Sequence, residues 1–139
     1  MTAPMLAKKI AELTLSKKGY DVAIMDLRKL TSMTDYFVVC SADSDVQVRA
    51  IADAVMEGLE KKGAAPWHKE LGSANWVLLD YVDVVLHVFH KTARSFYNLE
   101  KLWGDAVIKH LKEDTRPAVA ASRRPSSKGK PASVRKKAS

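Results

Sequence analysis

The chain has a single cysteine, Cys40, only six glycines, and no long apolar run. One cysteine can form no internal disulfide and supplies no cysteine-based zinc site. The glycines are scattered, so the chain lacks the glycine-rich loop of P-loop and Rossmann nucleotide sites. A membrane span needs about 20 consecutive apolar residues, and the N-terminus lacks the basic and apolar regions of a secretory signal. We therefore expect a cytoplasmic protein with no membrane partner.

Positive charge is concentrated at the C-terminal end of the 139-residue chain. Residues 115–139 carry eight Lys and Arg and no acid, whereas residues 1–114 carry 15 Lys and Arg against 16 Asp and Glu, a net charge of −1. The C-terminal segment is rich in Pro, Ala and Ser, and buries too little apolar surface to offset the entropy of ordering it. We predict one domain over residues 1–114 and a disordered basic tail over residues 115–139. The tail either attracts nucleic-acid phosphates or serves only as a solubilising segment.

Helix and strand patterns alternate within the domain and predict an α/β fold with a mixed sheet. Apolar spacing predicts a helix over 4–18, strands over 22–27 and 36–40, and a second helix from the Ser44-x-x-Gln47 capping box to Gly63. It then predicts a hairpin of strands 76–80 and 83–89. A last helix is predicted from Thr92, with residues 105–113 as a candidate extension. The second helix rests on the strongest pattern, since it combines a capping box, one apolar face and a closing glycine.

The aspartates suggest one alternative, that the protein is an enzyme. Clustered carboxylates can hold Mg²⁺ for nucleotidyl transfer, and Asp43 and Asp45 are two residues apart. They stand at a predicted helix start, where N-capping and the helix dipole already explain carboxylates. Asp80 and Asp83 are three apart across a turn, which does not reproduce the catalytic spacing. We therefore expect no enzyme activity, no metal and no cofactor.

Aromatic and charged residues are interleaved in the last third of the domain, a composition typical of protein-binding surfaces. The aromatic residues are Trp76, Tyr81, Tyr97 and Trp103, and the charged ones are Asp80, Asp83, Arg94 and Lys101. The alternative is that the aromatic side chains fill the core. We favour that alternative for Trp103, which shares a helical face with Phe96 and Leu99.

Four blocks of sequence together resemble one known family. They read TDYFVVCS at 34–41, QVRAIAD at 47–53, WVLLDYVDVVLH at 76–87 and FYNLEKLW at 96–103. In this order they are similar to the Iojap family, the bacterial and organellar ribosomal silencing factors (RsfS). The resemblance covers roughly residues 5–106, so the tail lies outside the family pattern. This chain has Tyr81-Val82 where family members often carry Gly between the two hairpin acids.

The resemblance implies a nucleotidyltransferase-like α/β fold in a single compact domain, without known transferase activity. It also implies a steric function. Such a protein binds the large ribosomal subunit, mainly through its protein L-fourteen, and prevents the small subunit from joining. Translation is thereby repressed when nutrients are short.

The residues and the resemblance coincide at the predicted hairpin. Trp76, Leu78 and Asp80 share one face of a strand, and an aromatic anchor beside a carboxylate suits a basic ribosomal protein. We predict that the contact surface consists of Trp76, Leu78, Asp80, Tyr81 and Asp83, supported by Arg94, Tyr97 and Lys101. Two alternatives stay open, a metal-dependent nucleotidyltransferase and an RNA-binding protein acting through contacts of its basic tail with ribosomal RNA. Homodimerisation of the free protein also stays open.

Overall fold

The computed structural model describes residues 1–71 and 75–111, with the main chain alone for residues 95–97, 100 and 102. The described residues form four helices and six strands. They are α1 (Ala3–Ser16), β1 (Tyr20–Asp26), β2 (Tyr36–Ala42), α2 (Asp45–Glu60), β3 (His68–Glu70), β4 (Trp76–Asp80), β5 (Val84–His90), α3 (Lys91–Tyr97), α4 (Leu99–Leu102) and β6 (Val107–Leu111).

The strands form one mixed sheet in the order β3-β4-β5-β2-β1-β6. β2 and β5 are parallel, and all other neighbours are antiparallel. Because β2 and β5 are parallel, both strands begin at the same end of the sheet. The β1–β2 loop and the β4–β5 turn therefore lie together at this end, which we call the turn end. At the opposite end, which we call the helix end, β2 leads towards α2 and β5 leads into α3.

The two faces of the sheet are covered differently. On the first face, α1 and α2 pack their apolar sides over residues such as Val38, Leu79 and Leu86. On the second face, a smaller apolar cluster includes Met25 and Phe89 and lies beneath the segment that contains α3 and α4. α3 packs against β5 and β2, and β4 lies beyond them in the sheet. This asymmetry leaves the second face of β4 at the margin of the helical cover.

Local sequence accounts for the limits of α2. Ser44 Oγ accepts a hydrogen bond from the Gln47 backbone N–H at 3.1 Å, and Gln47 Oε1 accepts one from the Asp43 N–H at 2.7 Å. These bonds satisfy amide groups that have no partner within the helix. Gly63, at φ +82°, follows the last turn in a conformation that favours glycine. The predicted second helix and its capping motif are confirmed.

The predicted hairpin is also confirmed, since β4 and β5 pair antiparallel with Leu78 opposite His87. The connection has three residues, 81–83, rather than the expected two. Cys40 is fully buried.

The predicted last helix is wrong in two respects. Asn98, at φ +24°, separates α3 from α4, so no continuous helix follows Thr92. The candidate extension is instead β6, which pairs with β1 and places Ile108 opposite Met25. Two β-branched residues begin this strand, and pairing with a sheet edge outweighs the weak helical spacing.

The predicted boundary between residues 114 and 115, and the whole basic tail, lie outside the described residues. None of the described helices is long and apolar enough to cross a membrane.

Candidate protein interface

β4 brings three of the predicted contact residues together on the second face. Trp76, Leu78 and Asp80 are half-buried, whereas the alternating Val77 and Leu79 are fully buried on the first face. The shared face predicted for the three side chains is therefore the observed arrangement. Strand geometry separates Trp76 from Asp80 by about 13 Å, so the three define an elongated row rather than a pocket.

Trp76 is held by aromatic neighbours at the helix end of this row. Its ring stacks on Phe89, with ring centroids 5.3 Å apart, and on His87, with centroids 5.8 Å apart. Its indole Nε1–H donates a hydrogen bond to His87 Nδ1 at 3.2 Å. The indole therefore has a defined orientation in the described structure.

His87 is a functional candidate that the sequence reasoning did not assign to the interface. Only 4% of it is exposed, and its ring and the Phe37 ring form a T-shaped pair with centroids 4.5 Å apart. Burial lowers its pKa to about 4, so the imidazole is neutral near pH 7. Because Nδ1 accepts the Trp76 bond, its proton lies on Nε2, which has no partner among the described residues. The hairpin register was the signal that could have identified this pair.

The turn after β4 fixes the other end of the row. Asp80 Oδ1 accepts a hydrogen bond from the Val82 N–H at 2.7 Å, and the Asp83 N–H donates to the Tyr81 carbonyl at 2.9 Å. The Asp83 carbonyl accepts from the Asp35 N–H at 2.9 Å, which joins the turn to the start of β2. Asp83 is exposed at the turn end of the sheet.

Tyr81 lies beneath this turn, not on its surface. Its side chain belongs to the first-face core, and only 8% of the residue is exposed. Burial raises its pKa to about 12, and the described residues offer no hydrogen-bond partner to its hydroxyl. Tyr81 therefore supports the turn from inside the domain and exposes little surface to a partner.

The three residues predicted to support the contact surface lie on α3 and α4. Arg94 is half-buried, and its Nη1 donates a hydrogen bond to Ser41 Oγ at 2.9 Å. Lys101 is exposed on α4. Tyr97 is the last residue of α3, and its side chain lies outside the described part of the structure. Trp76 and Arg94 are thus near the helix end, and Asp80 and Asp83 are at the turn end.

The turn end also exposes large apolar side chains that the sequence did not single out. Trp67 is 77% exposed, Met33 86% and Val82 54%. The Trp67 N–H donates to the Asp80 carbonyl at 2.7 Å, so this tryptophan adjoins the predicted row. Pro66 favours a loop here, but nothing in the sequence distinguishes an exposed tryptophan from a buried one.

The acids considered for catalysis have local roles. Asp45 lies in the first turn of α2, and Asp43 Oδ1 accepts a hydrogen bond from the Tyr20 hydroxyl at 2.8 Å. Across residues 1–71 and 75–111, no three or more His, Cys, Asp or Glu side chains are grouped so that they could hold a metal ion. The helix dipole at the first turn of α2 therefore accounts for Asp45, and the bond from Tyr20 accounts for Asp43.

Comparison with known proteins shows the family to which the chain belongs. The family model described as "Ribosomal silencing factor during starvation" matches residues 1–138, and so includes most of the tail that the four sequence blocks had left outside the family pattern. The ribosomal silencing factor RsfS of Bacillus subtilis (strain 168) is 44% identical over 96 residues, covering 68% of this chain and 81% of that protein. The chloroplastic protein Iojap of Zea mays is 33% identical over 114 residues, covering 82% of this chain and 48% of that protein.

A crystal structure of a protein from Chromobacterium violaceum has the same fold. It superposes with a TM-score of 0.73 at 32% sequence identity, covering 83% of this chain and 98% of the other. Family model, relatives and fold agree, and the chain belongs to the RsfS family of ribosomal silencing factors.

Proposed function

We propose that this protein binds the large ribosomal subunit through ribosomal protein L-fourteen and sterically blocks joining of the small subunit. Translation would fall because fewer complete ribosomes form. The observation that carries the proposal is the row of Trp76, Leu78 and Asp80 on the second face of β4, in a chain of the silencing-factor family. No catalytic step is needed for this action.

The chemistry of the row suits a basic protein partner. Trp76 offers a large, oriented aromatic surface, and aromatic anchors dominate the energetics of many interfaces. Asp80 and the exposed Asp83 lie at the other end, where carboxylates would attract Lys or Arg and fix the register of docking. We propose that Arg94, Tyr97 and Lys101 support this contact from α3 and α4, and that Tyr81 holds the turn from the core.

The charge of the domain favours protein over RNA as the main partner. Residues 1–114 have a net charge of −1, which provides no general attraction to phosphates. A ribosome-binding domain of this charge gains specificity from a protein surface. The basic tail is a separate source of affinity, which we propose contacts ribosomal RNA.

The test is co-sedimentation of the purified protein with separated ribosomal subunits, followed by addition of the missing subunit. We expect binding to the large subunit alone and fewer joined ribosomes. Equal binding to both subunits that disappears at moderate salt would contradict the proposal, because that behaviour reports only charge.

Variants locate the surface. Trp76→Ala and Asp80→Ala are expected to weaken binding to the large subunit, by at least about tenfold for the tryptophan. Val46→Ala is the matched control, because Val46 is 80% exposed on α2, away from the row. If both β4 variants bind as the wild-type protein does, the row is not the interface.

A further inference from the structure

We propose that His87 is a positioning residue, which holds the indole of Trp76 in the orientation that docks on the partner. This inference rests on the proposed function, because it concerns how the same surface is prepared for binding. The sequence patterns described above assign no role to this histidine.

The geometry restrains the indole in two ways. Stacking on Phe89 and His87 fixes the plane of the Trp76 ring, with interplanar angles of 25° and 28°. The Nε1–H bond to His87 Nδ1, at 3.2 Å, fixes which way round the ring lies in that plane. Stacking alone is compatible with the ring turned over by about 180° about the Cβ–Cγ bond, whereas the hydrogen bond selects one of the two orientations.

His87 is itself rigidly seated. It lies in the middle of β5, is only 4% exposed, and its ring meets Phe37 edge-on and Phe89 in a nearly parallel stack. A side chain packed between two aromatic rings on the central part of a sheet has little freedom to follow Trp76. The strand therefore sets the position of the acceptor, and the acceptor sets the position of the indole.

The unpaired ring nitrogen argues that this histidine is not there for stability. Its Nε2 is buried without a partner among the described residues, and burying an unpaired polar group lowers the free energy of unfolding. A phenylalanine would fill the same aromatic cluster without that cost. What histidine adds, and phenylalanine lacks, is the acceptor for Trp76.

A fixed indole lowers the cost of binding. A side chain that already occupies its bound orientation loses less conformational entropy when the complex forms. The same bond also directs the indole N–H inward, so the partner meets carbon atoms of the ring rather than a hydrogen-bond donor. We accordingly expect the contacting partner group to be apolar or a cationic side chain stacked on the ring.

The experiment combines nuclear magnetic resonance, unfolding and subunit binding on the full chain. In ¹⁵N-labelled protein, the Trp76 indole signal is assigned by its loss in Trp76→Phe. His87→Phe should move this signal to the position of an indole bonded to water and abolish its protection from hydrogen exchange. At neutral pH the urea midpoint should stay unchanged or rise, while affinity for the large subunit falls about fivefold, the cost expected for ordering one freed side chain on binding.

Two further variants complete the design. His87→Asn keeps an acceptor near the Nδ1 position and should recover part of the protection and affinity, even though its smaller side chain lowers stability. His110→Phe makes the same side-chain change on the edge strand β6 and should alter neither the Trp76 signal nor binding.

Each outcome is decisive. If the indole signal of His87→Phe does not move, the hydrogen bond does not exist in solution and the inference fails. If the signal moves and affinity is unchanged, the bond exists but does not prepare the surface, and the inference also fails. If the wild-type protein does not bind the large subunit selectively, the proposed function fails, while the nuclear magnetic resonance result still reports the Trp76–His87 bond.

Discussion

Arg94 on α3 donates a hydrogen bond from Nη1 to Oγ of Ser41 on β2, across 2.9 Å and 53 positions of the sequence. Ser41 is 2% exposed, so its hydroxyl lies inside the domain. This bond attaches the start of the second-face helical segment to the centre of the sheet. Arg94 therefore contributes to the fold, besides the contact that we propose for it, and a second variant is needed to separate the two roles.

Ser41→Ala isolates the structural role. It removes the acceptor and leaves the arginine in place, so we expect the free energy of unfolding to fall by about 1 kcal/mol. Urea denaturation measures this change. Ser16→Ala is the control, since Ser16 Oγ bonds only within its own helix, to the Leu13 carbonyl, and is exposed. Equal effects of the two variants would show that the Arg94 bond adds nothing to stability.

Tyr81→Phe should not destabilise the protein, even though the side chain is buried. The hydroxyl has no partner among the described residues, so its removal relieves an unpaired polar group. We expect the free energy of unfolding to stay equal or to rise by up to about 1 kcal/mol, with subunit binding unchanged. Tyr20→Phe is the matched control, because that hydroxyl donates to Asp43 at 2.8 Å and its loss should destabilise. A marked loss of stability in Tyr81→Phe would reveal a partner for the hydroxyl.

The sequence predicted those parts of the fold whose signals are local. The capping box at Ser44 and the alternation of β4 each depend on a few neighbouring residues, and both appear as expected. β6 was missed because its stability comes from pairing with β1, more than 80 positions earlier. Helical spacing from Phe96 to Trp103 was real but was interrupted by the positive φ of Asn98.

The same division between local and long-range signals holds for the candidate site. Period-two alternation placed Trp76, Leu78 and Asp80 on one face, as observed. It could not show that Tyr81 turns inward, because side-chain direction in a tight turn depends on dihedral angles that no repeat encodes. The pairing of Trp76 with His87 needed the hairpin register and the depth of each ring below the surface.

Val82→Gly should stabilise the hairpin. Val82 has φ +74°, a conformation unfavourable to a β-branched residue, and its side chain is 54% exposed. Relief of strain outweighs the extra unfolded-state entropy of glycine, so we expect a gain of up to about 1 kcal/mol in the free energy of unfolding. Thermal and urea unfolding check it. Val82→Ala retains a Cβ and should gain less, and an equal gain in both variants would mean that the backbone is not the source.

Acid should destabilise the protein through His87. Burial lowers its folded-state pKa to about 4, whereas the unfolded side chain titrates near 6.5. Between these values the unfolded chain binds a proton that the folded chain does not, so stability is retained above pH 6.5 and lost as the pH falls towards 4. The full loss is about 3 kcal/mol.

The comparison with His87→Phe isolates this effect. Carboxylates titrate in the same range, and the Arg28 hydrogen bond lowers the pKa of Asp26, but these groups are shared by both proteins. The wild-type curve of unfolding free energy against pH should therefore fall more steeply than the variant curve between pH 6.5 and 4. Parallel curves would show that His87 titrates normally in the folded protein.

Removal of residues 116–139 should change the salt dependence of binding rather than its selectivity. The deleted segment carries eight basic residues and no acid, and the remaining chain is close to neutral. Each phosphate contact made by the tail releases counterions, so affinity for the large subunit should depend less steeply on salt after the deletion. Binding titrations at several salt concentrations measure the slope.

A full-length variant with the eight basic residues changed to Ser separates charge from length. If charge acts through ribosomal RNA, this variant should behave like the deletion, and both should still prefer the large subunit and still block joining. If selective binding disappears with the tail, the RNA-binding alternative is correct and the β4 row is not the main contact. If neither slope nor affinity changes, the tail makes no contact with the ribosome and its charge serves only solubility. The three results are distinct, because they assign the affinity to the domain and the tail together, to the tail, or to the domain alone.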